Sequence, residues 1–499
     1  MSKLKVVLIS HPKGNKLGKP DFPPPGIAFL GAIAKRDGHE YRLIDGGLKT
    51  NTQIISEVKS FSPDVIGITC WTIGRADVWD LAEGLRKVVP DVPLLVGGPH
   101  ATEYPSHIFK KTHAQVVVKG EGEKAFSELL KAFKNKEDIR KVKGLILRDD
   151  SLNGTPTPLG GFMDEIDDIP MPNYEGFSDF SFDNYNGFPS LPLPTATIIS
   201  SRGCVFDCTF CSSVSFWGKT WRYRSPENVL SEIKVLVEKY NVKSLYFFDD
   251  NFPVNKERAA AICQGIIDNK WDLQWACCSH VKMLNEPLVK LMSESGCRTI
   301  DFGVESGSEI ILKNIRKKQT TKAIKKTFAL CHKYDILPRA YLMVGNEGEN
   351  ENTIDETISL IKEIKPYSSI GANILWLLPG TDAYRDAERK GIIDENYWLE
   401  NDDIPYNTTE HSFKELVVLR DRLLHGVAKS KGGLQSYLVY QMKRVYYKFP
   451  QLSFLRDYAH KSLPQYRDTY DKKEIKVTPP GVPSQEKIYT RSDTKQLRF

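Results

Sequence analysis

The stretch "RGCVFDCTFCSS" sets Cys204, Cys208 and Cys211 within eight residues of one another and leaves no fourth cysteine close by. Three thiolates at this spacing almost surround a metal. Structural zinc is closed by four ligands, commonly as paired Cys-x2-Cys knuckles, and this segment offers three cysteines with a single x2 spacing. A thiolate cluster of iron and sulfur fits better, because three thiolates leave one iron with a coordination position that a small molecule can fill. The plain alternative is a reduced, partly buried group of cysteines that holds no metal. The other six cysteines form no second cluster motif. Cys263 and Cys331 lie in helical patterns, Cys277 and Cys278 adjoin on a strand, Cys70 and Cys297 stand alone, and all six read as core.

A loop of this kind needs a scaffold, and the composition provides for one. Of 499 residues, 40% are hydrophobic and 26% charged, enough for two or three globular domains. Basic residues exceed acidic ones by six, well short of a nucleic-acid footprint. The apolar run near the N-terminus, Val6–Ile9, is too short for a signal-peptide core, and no segment approaches the length of a membrane span. A soluble, cytoplasmic protein is expected. Nine cysteines in a reducing compartment point away from a disulfide framework.

Residues 1–135 alternate the apolar runs "VVLIS", "YRLID", "VIGITC", "PLLVGG" and "QVVVKG" with helical patterns such as "GIAFLGAIAKRDG". Five strands interleaved with helices predict an α/β fold, a doubly wound, Rossmann-like parallel sheet that binds ligands at the carboxyl ends of its strands. Residues 136–194 read as a linker or wrapping segment, with seven prolines and five glycines between 150 and 194. From 195 to 400 six more strands are expected, at "TATIIS", "SLYFFDD", "LQWACCS", "TIDFGVES", "PRAYLMVG" and "SIGANILWL". With their intervening helices, one opened by Ser225 and Pro226, they suit a partial (β/α)6 barrel. The three cysteines follow directly on the first of these strands, at the end where such barrels place their chemistry. Residues 401–499 read as a helical region and a poorly ordered tail. Within it, 429–461 carry seven basic residues against one acid, interleaved with aromatics. That is a helical cap with a solvated basic face or, as the sharper alternative, a membrane-surface or lipid-substrate contact.

Cys-x3-Cys-x2-Cys, with Phe210 just before the last cysteine, resembles the signature of the radical S-adenosylmethionine (SAM) enzymes. The resemblance implies a 4Fe-4S cluster on Cys204, Cys208 and Cys211, with SAM chelating the remaining iron. It also implies reductive cleavage of SAM to a 5′-deoxyadenosyl radical, with a flavodoxin- or ferredoxin-type protein as the reductant. A five-strand sheet followed by this barrel is similar to the cobalamin-binding subgroup, which includes the anaerobic cyclase of bacteriochlorophyll synthesis, hopanoid methylases and antibiotic-pathway C-methyltransferases. The matching segments of the first domain are "PPPGIAFLGAI", "DVIGITCWT", "LLVGGPHATEYP" and "VVVKGEGEKAF". Those of the barrel are the cysteine stretch, "FFDDNF", "DFGVESGS", "LMVGNEGEN" and "LLPGTDAYRDAERKGII". Two departures stand out. No Asp-x-His-x-x-Gly motif offers a histidine to the lower face of cobalt, and His11, which stands after the first strand, reads as a turn residue. In "GNEGEN", Glu347 and Asn350 replace the subgroup's proline and threonine.

On this resemblance the SAM-binding residues are Phe210, Asp250, Ser279, Glu305 and Ser306, with His280 next in line. Asp250 would grip the SAM ammonium unless it caps the next helix, and Asp249 reads as structural. Glu305, at a strand end in a barrel mouth, would be expensive to bury unpaired, so a polar ligand is its expected partner. Arg222 and Arg224 lie ahead of a helix, where arginines are usually surface residues, though either could neutralise a carboxylate. The cobalamin groove would be lined by Thr69, Thr72, Gly97, Gly98, His100, Gly120, Glu121 and Gly122; the glycines let a flat corrin approach, or else simply make tight turns. The expected function is C-methylation of an unactivated carbon in a small-molecule or lipid/natural-product substrate. The alternatives are a radical cyclase or rearrangement enzyme, and a non-catalytic iron–sulfur or cobalamin sensor.

Overall fold

In the computed structural model, the described residues are 3–14, 18–158, 160, 162–163, 165–401, 408 and 410–429. The basic, aromatic stretch from 430 onward and the tail lie outside them. The chain forms two compact units. One runs to Gly203 and takes in Phe216–Asp249 and Ala261–Trp275; the other comprises Cys204–Ser215, Asp250–Ala260 and the chain from Ala276.

The first sheet contains β1 (Lys5–Ile9), β2 (Glu40–Ile44), β3 (Val65–Thr69), β4 (Leu94–Gly97), β5 (Val116–Val118), β6 (Leu145–Leu147) and β7 (Thr155–Pro156), in the order β2-β1-β3-β4-β5-β6-β7. β1 to β5 pair in parallel at the five expected positions. β6 and β7 add an antiparallel edge drawn from the segment read as a linker. Both are too short and too close to proline and glycine to give a period-2 signal. The order reverses at β1, so the crevice that can hold a ligand opens past the carboxyl ends of β1 and β3. Continuous apolar strands are what a sheet covered on both faces requires. Val7, Ile9, Ile66, Ile68, Leu94, Val96 and Val117 pack with Val78, Leu81 and Leu85 from a flanking helix, each burial contributing about 1.5–3 kcal/mol.

A short antiparallel ribbon follows, formed by β9 (Ser201–Gly203) and β10 (Trp221–Tyr223) after β8 (Thr195–Ile198). The second sheet adds β11 (Ser244–Phe247), β12 (Gln274–Ser279), β13 (Cys297–Glu305), β14 (Leu337–Val344) and β15 (Ser368–Ile374), in the order β15-β14-β13-β12-β11-β8. Each strand lies beside the next in sequence, and the pairs β8–β11, β13–β14 and β14–β15 are parallel, as in a partial β/α barrel. The helix after β10 begins where the sequence places its cap. Ser225 Oγ accepts the Asn228 amide at 3.2 Å, Pro226 takes the first turn, and Val229, Ile233 and Leu236 are buried over the helix Pro226–Tyr240. Helix Phe413–Lys429 is the described part of the expected C-terminal helical region. No helix among the described residues is long and apolar enough to cross a membrane.

Candidate active site

The cysteine loop leaves β9 at Gly203, whose φ of +85° suits glycine. A Cβ there would lie 2.1 Å from the Thr220 carbonyl oxygen, so Gly203→Ala cannot keep the β9–β10 pairing. Backbone in this region costs a side-chain-bearing residue about 1–2 kcal/mol even without a clash. The expected result is a soluble protein whose iron uptake on anaerobic reconstitution drops severalfold; unchanged iron per chain would contradict it.

Cys204, Cys208 and Cys211 are unpaired and half-buried. Burial raises all three thiols, Cys211 to about 11. The thiols influence one another, and Asp250 raises Cys204 and Cys211 further, so these groups lie within electrostatic reach of one another. Opposing forces favour thiolate: the Phe206 amide bonds Cys204, the Ser213 amide bonds Cys211, and the ammonium of Lys317 lowers Cys208. Three half-buried thiols on one short loop, served by amide donors and a nearby cation, are a donor set that fits a thiolate cluster. Among the described residues no three His, Cys, Asp or Glu side chains converge tightly enough for a single metal ion. A cluster, whose ligands bind separate irons, asks for a wider spacing.

The loop is pinned on several sides. The Thr209 amide donates to the Ile315 carbonyl at 3.1 Å, and the Thr209 carbonyl accepts the Ala383 amide at 3.0 Å. Asp207 pairs with Lys318 at 2.8 Å. Phe206 stacks on His280 with ring centroids 3.9 Å apart. The Lys282 amide donates to His280 Nδ1, so the proton sits on Nε2, which donates to the Lys317 carbonyl at 2.8 Å. Burial lowers this imidazole to about 4, so it is neutral near pH 7.

Lys317 itself was not foreseen. It follows helix Glu309–Asn314 in a basic run, Arg316-Lys317-Lys318, and no spacing rule marks the middle residue. Its Nζ donates to Glu305 Oε1 at 2.8 Å and lies 5.7 Å from the Phe210 ring centroid. Burial alone would discharge the amine, but Glu305, then Cys208, outweigh burial and raise it above its ordinary value. Gly303, one strand period below Glu305, leaves room for this ion pair; a Cβ there would sit 2.4 Å from Nζ. Glu305 is 8% exposed, and where its position suggested a polar ligand as partner, Lys317 supplies a protein one.

The other expected SAM residues divide. Asp250 is exposed beside the thiols and accepts from Ser213 Oγ at 2.6 Å. Phe210 is half-buried at the same place. Ser279 and Ser306 are buried with their hydroxyls engaged, Ser279 donating to the His280 carbonyl at 3.1 Å and Ser306 bonding Thr357 Oγ1 at 3.2 Å. Asp249 accepts the Ser200 amide and the hydroxyls of Ser200 and Ser201 at 2.6–2.7 Å, a structural role as read.

At the first sheet, Thr69 ends β3 and is half-buried, and the Trp71 amide donates to His11 Nδ1 at 3.3 Å, which ties the turns after β1 and β3 together. Gly98, at φ +99°, packs so near the Cys70 carbonyl that a Cβ would lie 2.8 Å from its oxygen, so its role is internal. Gly97 and Gly122 have ordinary room, and Gly120 faces open space. Two groove assignments change. His100 is fully buried, bonded through Nδ1 to Thr72 Oγ1 at 3.3 Å and packed against Trp79, Tyr104 and His107, because its short helix, Pro99–Glu103, turns it inward. Glu121 is also enclosed: it bonds Arg202 at 2.9 Å, Arg222 at 2.8 Å and the Met163 amide at 3.0 Å. Arg222 and Arg224 are thus not surface residues. Arg224 is buried against Glu232 and donates to Asn228 at 2.6 Å.

His100 and His107 give the first sheet a pH dependence. Burial lowers His107 to about 4 and His100 well below its ordinary value, with Arg75 acting the same way on both. A depressed histidine stabilises the fold fully above its unfolded value near 6.5, and that contribution disappears as pH falls toward the folded value. For His107 the loss is roughly 3 kcal/mol by pH 4. The melting temperature should fall between pH 6.5 and 4, and His107→Leu should flatten that slope; an equal slope in the variant would refute the assignment.

Comparison with known proteins gives the family. Residues 198–361 match the model of the radical SAM superfamily and residues 18–130 that of the B12 binding domain. An uncharacterized methyltransferase of Pyrococcus horikoshii is 31% identical over 372 residues, covering 73% of this chain and 79% of its own. The anaerobic magnesium-protoporphyrin IX monomethyl ester cyclase of Cereibacter sphaeroides is 25% identical, covering 90% and 72%. Among solved structures, the radical SAM methyltransferase TsrM of Kitasatospora setae, with cobalamin and a [4Fe-4S] cluster bound, superimposes with a TM-score of 0.66 at 17% identity, covering 78% of this chain and 75% of that one, a likeness of fold.

Proposed function

Because this chain belongs to the radical SAM superfamily, in the group that carries a B12-binding domain, we propose that it transfers a methyl group to an unactivated carbon of a small molecule. The observation that carries this reading is the three-cysteine loop, half-buried and set within electrostatic reach of the Lys317–Glu305 pair. When bound, the reduced cluster and SAM supply a 5′-deoxyadenosyl radical, and cobalamin supplies the methyl group. The chain's own residues bind and orient. Cys204, Cys208 and Cys211 would hold the cluster, and the residues around them would receive the amino-acid part of SAM. That part is a zwitterion. Lys317 offers it a cation, Asp250 and Glu305 offer carboxylates, and Phe210 shields the cation's other side. Thr69 and Thr72, at and after the end of β3, and Gly120, after β5, are the corrin contacts of this reading, with a flavodoxin- or ferredoxin-type protein as reductant and the cytoplasm as location. The division at 1–135, 136–194, 195–400 and 401–499 goes with it, since the two family matches fall inside the first and third segments.

The test is anaerobic reconstitution with iron, sulfide and cobalamin, then SAM carrying a deuterated methyl group and a strong reductant. Labelled methylcobalamin together with 5′-deoxyadenosine is expected; zinc in place of iron, or no 5′-deoxyadenosine, would overturn the reading. The cyclase relative supports a second reading, ring closure or rearrangement without methyl transfer. Product mass separates the two, because only methylation carries the label into product.

A further inference from the structure

Arg202 stands two residues before Cys204, and its guanidinium is buried. Nη1 donates to Glu121 at 2.9 Å and Nη2 to Glu123 at 2.6 Å. One face lies 5.6 Å from the ring centre of Phe29, on helix Pro25–Arg36, and the guanidinium is also 5.5 Å from Trp217, on the short helix Ser213–Trp217 that follows Cys211. The segment that carries the three cysteines therefore leaves from Arg202 and returns to it: the strand entering the loop bears the guanidinium and the helix leaving the loop lays an indole on it. The β9–β10 ribbon repeats the closure, with Gly203 opposite Trp221 and Arg202 opposite Arg222. Arg222 completes the group, donating to both oxygens of Glu121 and to the Met163 carbonyl at 2.8 Å. Burial disfavours the charge on Arg202, yet Glu123 and Glu121 overcome it. Two arginines against two carboxylates leave no net charge in this enclosed set.

We infer that Arg202 is a positioning residue for the cluster, fixing both feet of the cysteine loop to the end of β5 and to helix Pro25–Arg36. The inference rests on the reading that Cys204, Cys208 and Cys211 hold a 4Fe-4S cluster. A buried four-charge network is costly to assemble, and a hydrophobic contact would serve stability as well. What the planar fork provides beyond stability is direction, because two donors at a fixed angle and two flat faces admit one orientation. Loop displacements of a fraction of an ångström change how an open iron meets its ligand.

Arg202→Lys keeps the charge and loses the fork and the flat faces. Because it could leave one carboxylate unpaired, the charge-balanced pair Arg202→Gln with Glu123→Gln is made beside it, leaving Glu121 with Arg222. Each is reconstituted as the full chain, checked for fold by circular dichroism, analysed for iron, and titrated with SAM while the electron paramagnetic resonance signal of the reduced cluster is followed. Both variants should bind SAM about tenfold more weakly than wild type at equal iron content. Loss of iron uptake in a folded variant also supports the inference, since the thiols then no longer converge. A variant with wild-type iron whose SAM titration lies within about twofold of wild type overturns the inference alone. A wild-type protein that takes up no iron overturns the cluster reading and the inference together.

Discussion

Replacement of any one of Cys204, Cys208 and Cys211 by alanine will leave a folded protein that holds no complete cluster. Release of 5′-deoxyadenosine from SAM should fall by about a thousandfold or more, some 4 kcal/mol of barrier at about 1.4 kcal/mol per decade. The three thiols are half-buried and belong to a loop, so alanine removes little core packing. Each thiol is raised by burial, so ionisation depends on the metal and on the few groups that favour charge: the Phe206 and Ser213 amides and Lys317. Two of the three thiols alone would not complete the ligand set of the cluster. Iron and sulfide per chain, the visible spectrum and chromatography of the nucleoside products measure the effect. Cys297→Ala is the control, because Cys297 is fully buried on β13. It should cost stability by leaving a cavity and leave iron content unchanged. Full iron in the Cys208 variant would end the cluster assignment.

Removal of Lys317 has the second large effect, and its sign depends on Glu305. In Lys317→Ala a carboxylate that is 8% exposed loses its cation, which costs about 3–5 kcal/mol when one partner of a buried pair is deleted. Lys317→Ala with Glu305→Gln should recover most of that loss, because no buried charge remains. Denaturant midpoints of the wild type, both single variants and the double variant measure the coupling. The thiols respond separately. Lys317 lowers Cys208 and Glu305 raises it, so cluster assembly in Lys317→Ala should move to more alkaline conditions, and the double variant, which also loses the Glu305 charge, should move less. An unshifted assembly profile would show that the ammonium does not act on the thiols, whatever the stability cycle reports.

The network around Arg202 and the pair at Lys317 share a physical origin. Each is a charge removed from water and then compensated by groups distant in sequence: Arg202 by Glu121 and Glu123 some 80 residues away, Lys317 by Glu305 twelve residues away across a strand end and a helix. Linear spacing carries no trace of such pairs, and this is why Glu121, flanked by glycines at a strand end, read as a corrin contact and Arg222 as a surface residue. His100 misled for a similar reason. Its neighbours Gly97 and Gly98 do mark a tight strand-to-helix turn, but whether the next side chain points into a groove or into the core depends on the rotation of a five-residue helix.

The sequence by itself determined the alternation of strands and helices in both sheets, the position of the three thiols shortly after the barrel's first strand, and the cap that starts helix Pro226–Tyr240. Each of these follows from local periodicity, from a steric rule at a single residue, or from spacing within one turn of chain. Only the tertiary structure decided which charges meet. It added the antiparallel edge β6–β7 and the β9–β10 ribbon, closed Glu121 and His100 off from the groove, and delivered Lys317 to Glu305 and the cysteine loop. Those outcomes depend on desolvation and on partners brought together by the packing of whole elements. A buried charge adopts the counter-charge that the fold sets beside it, and one-dimensional order does not specify that neighbour.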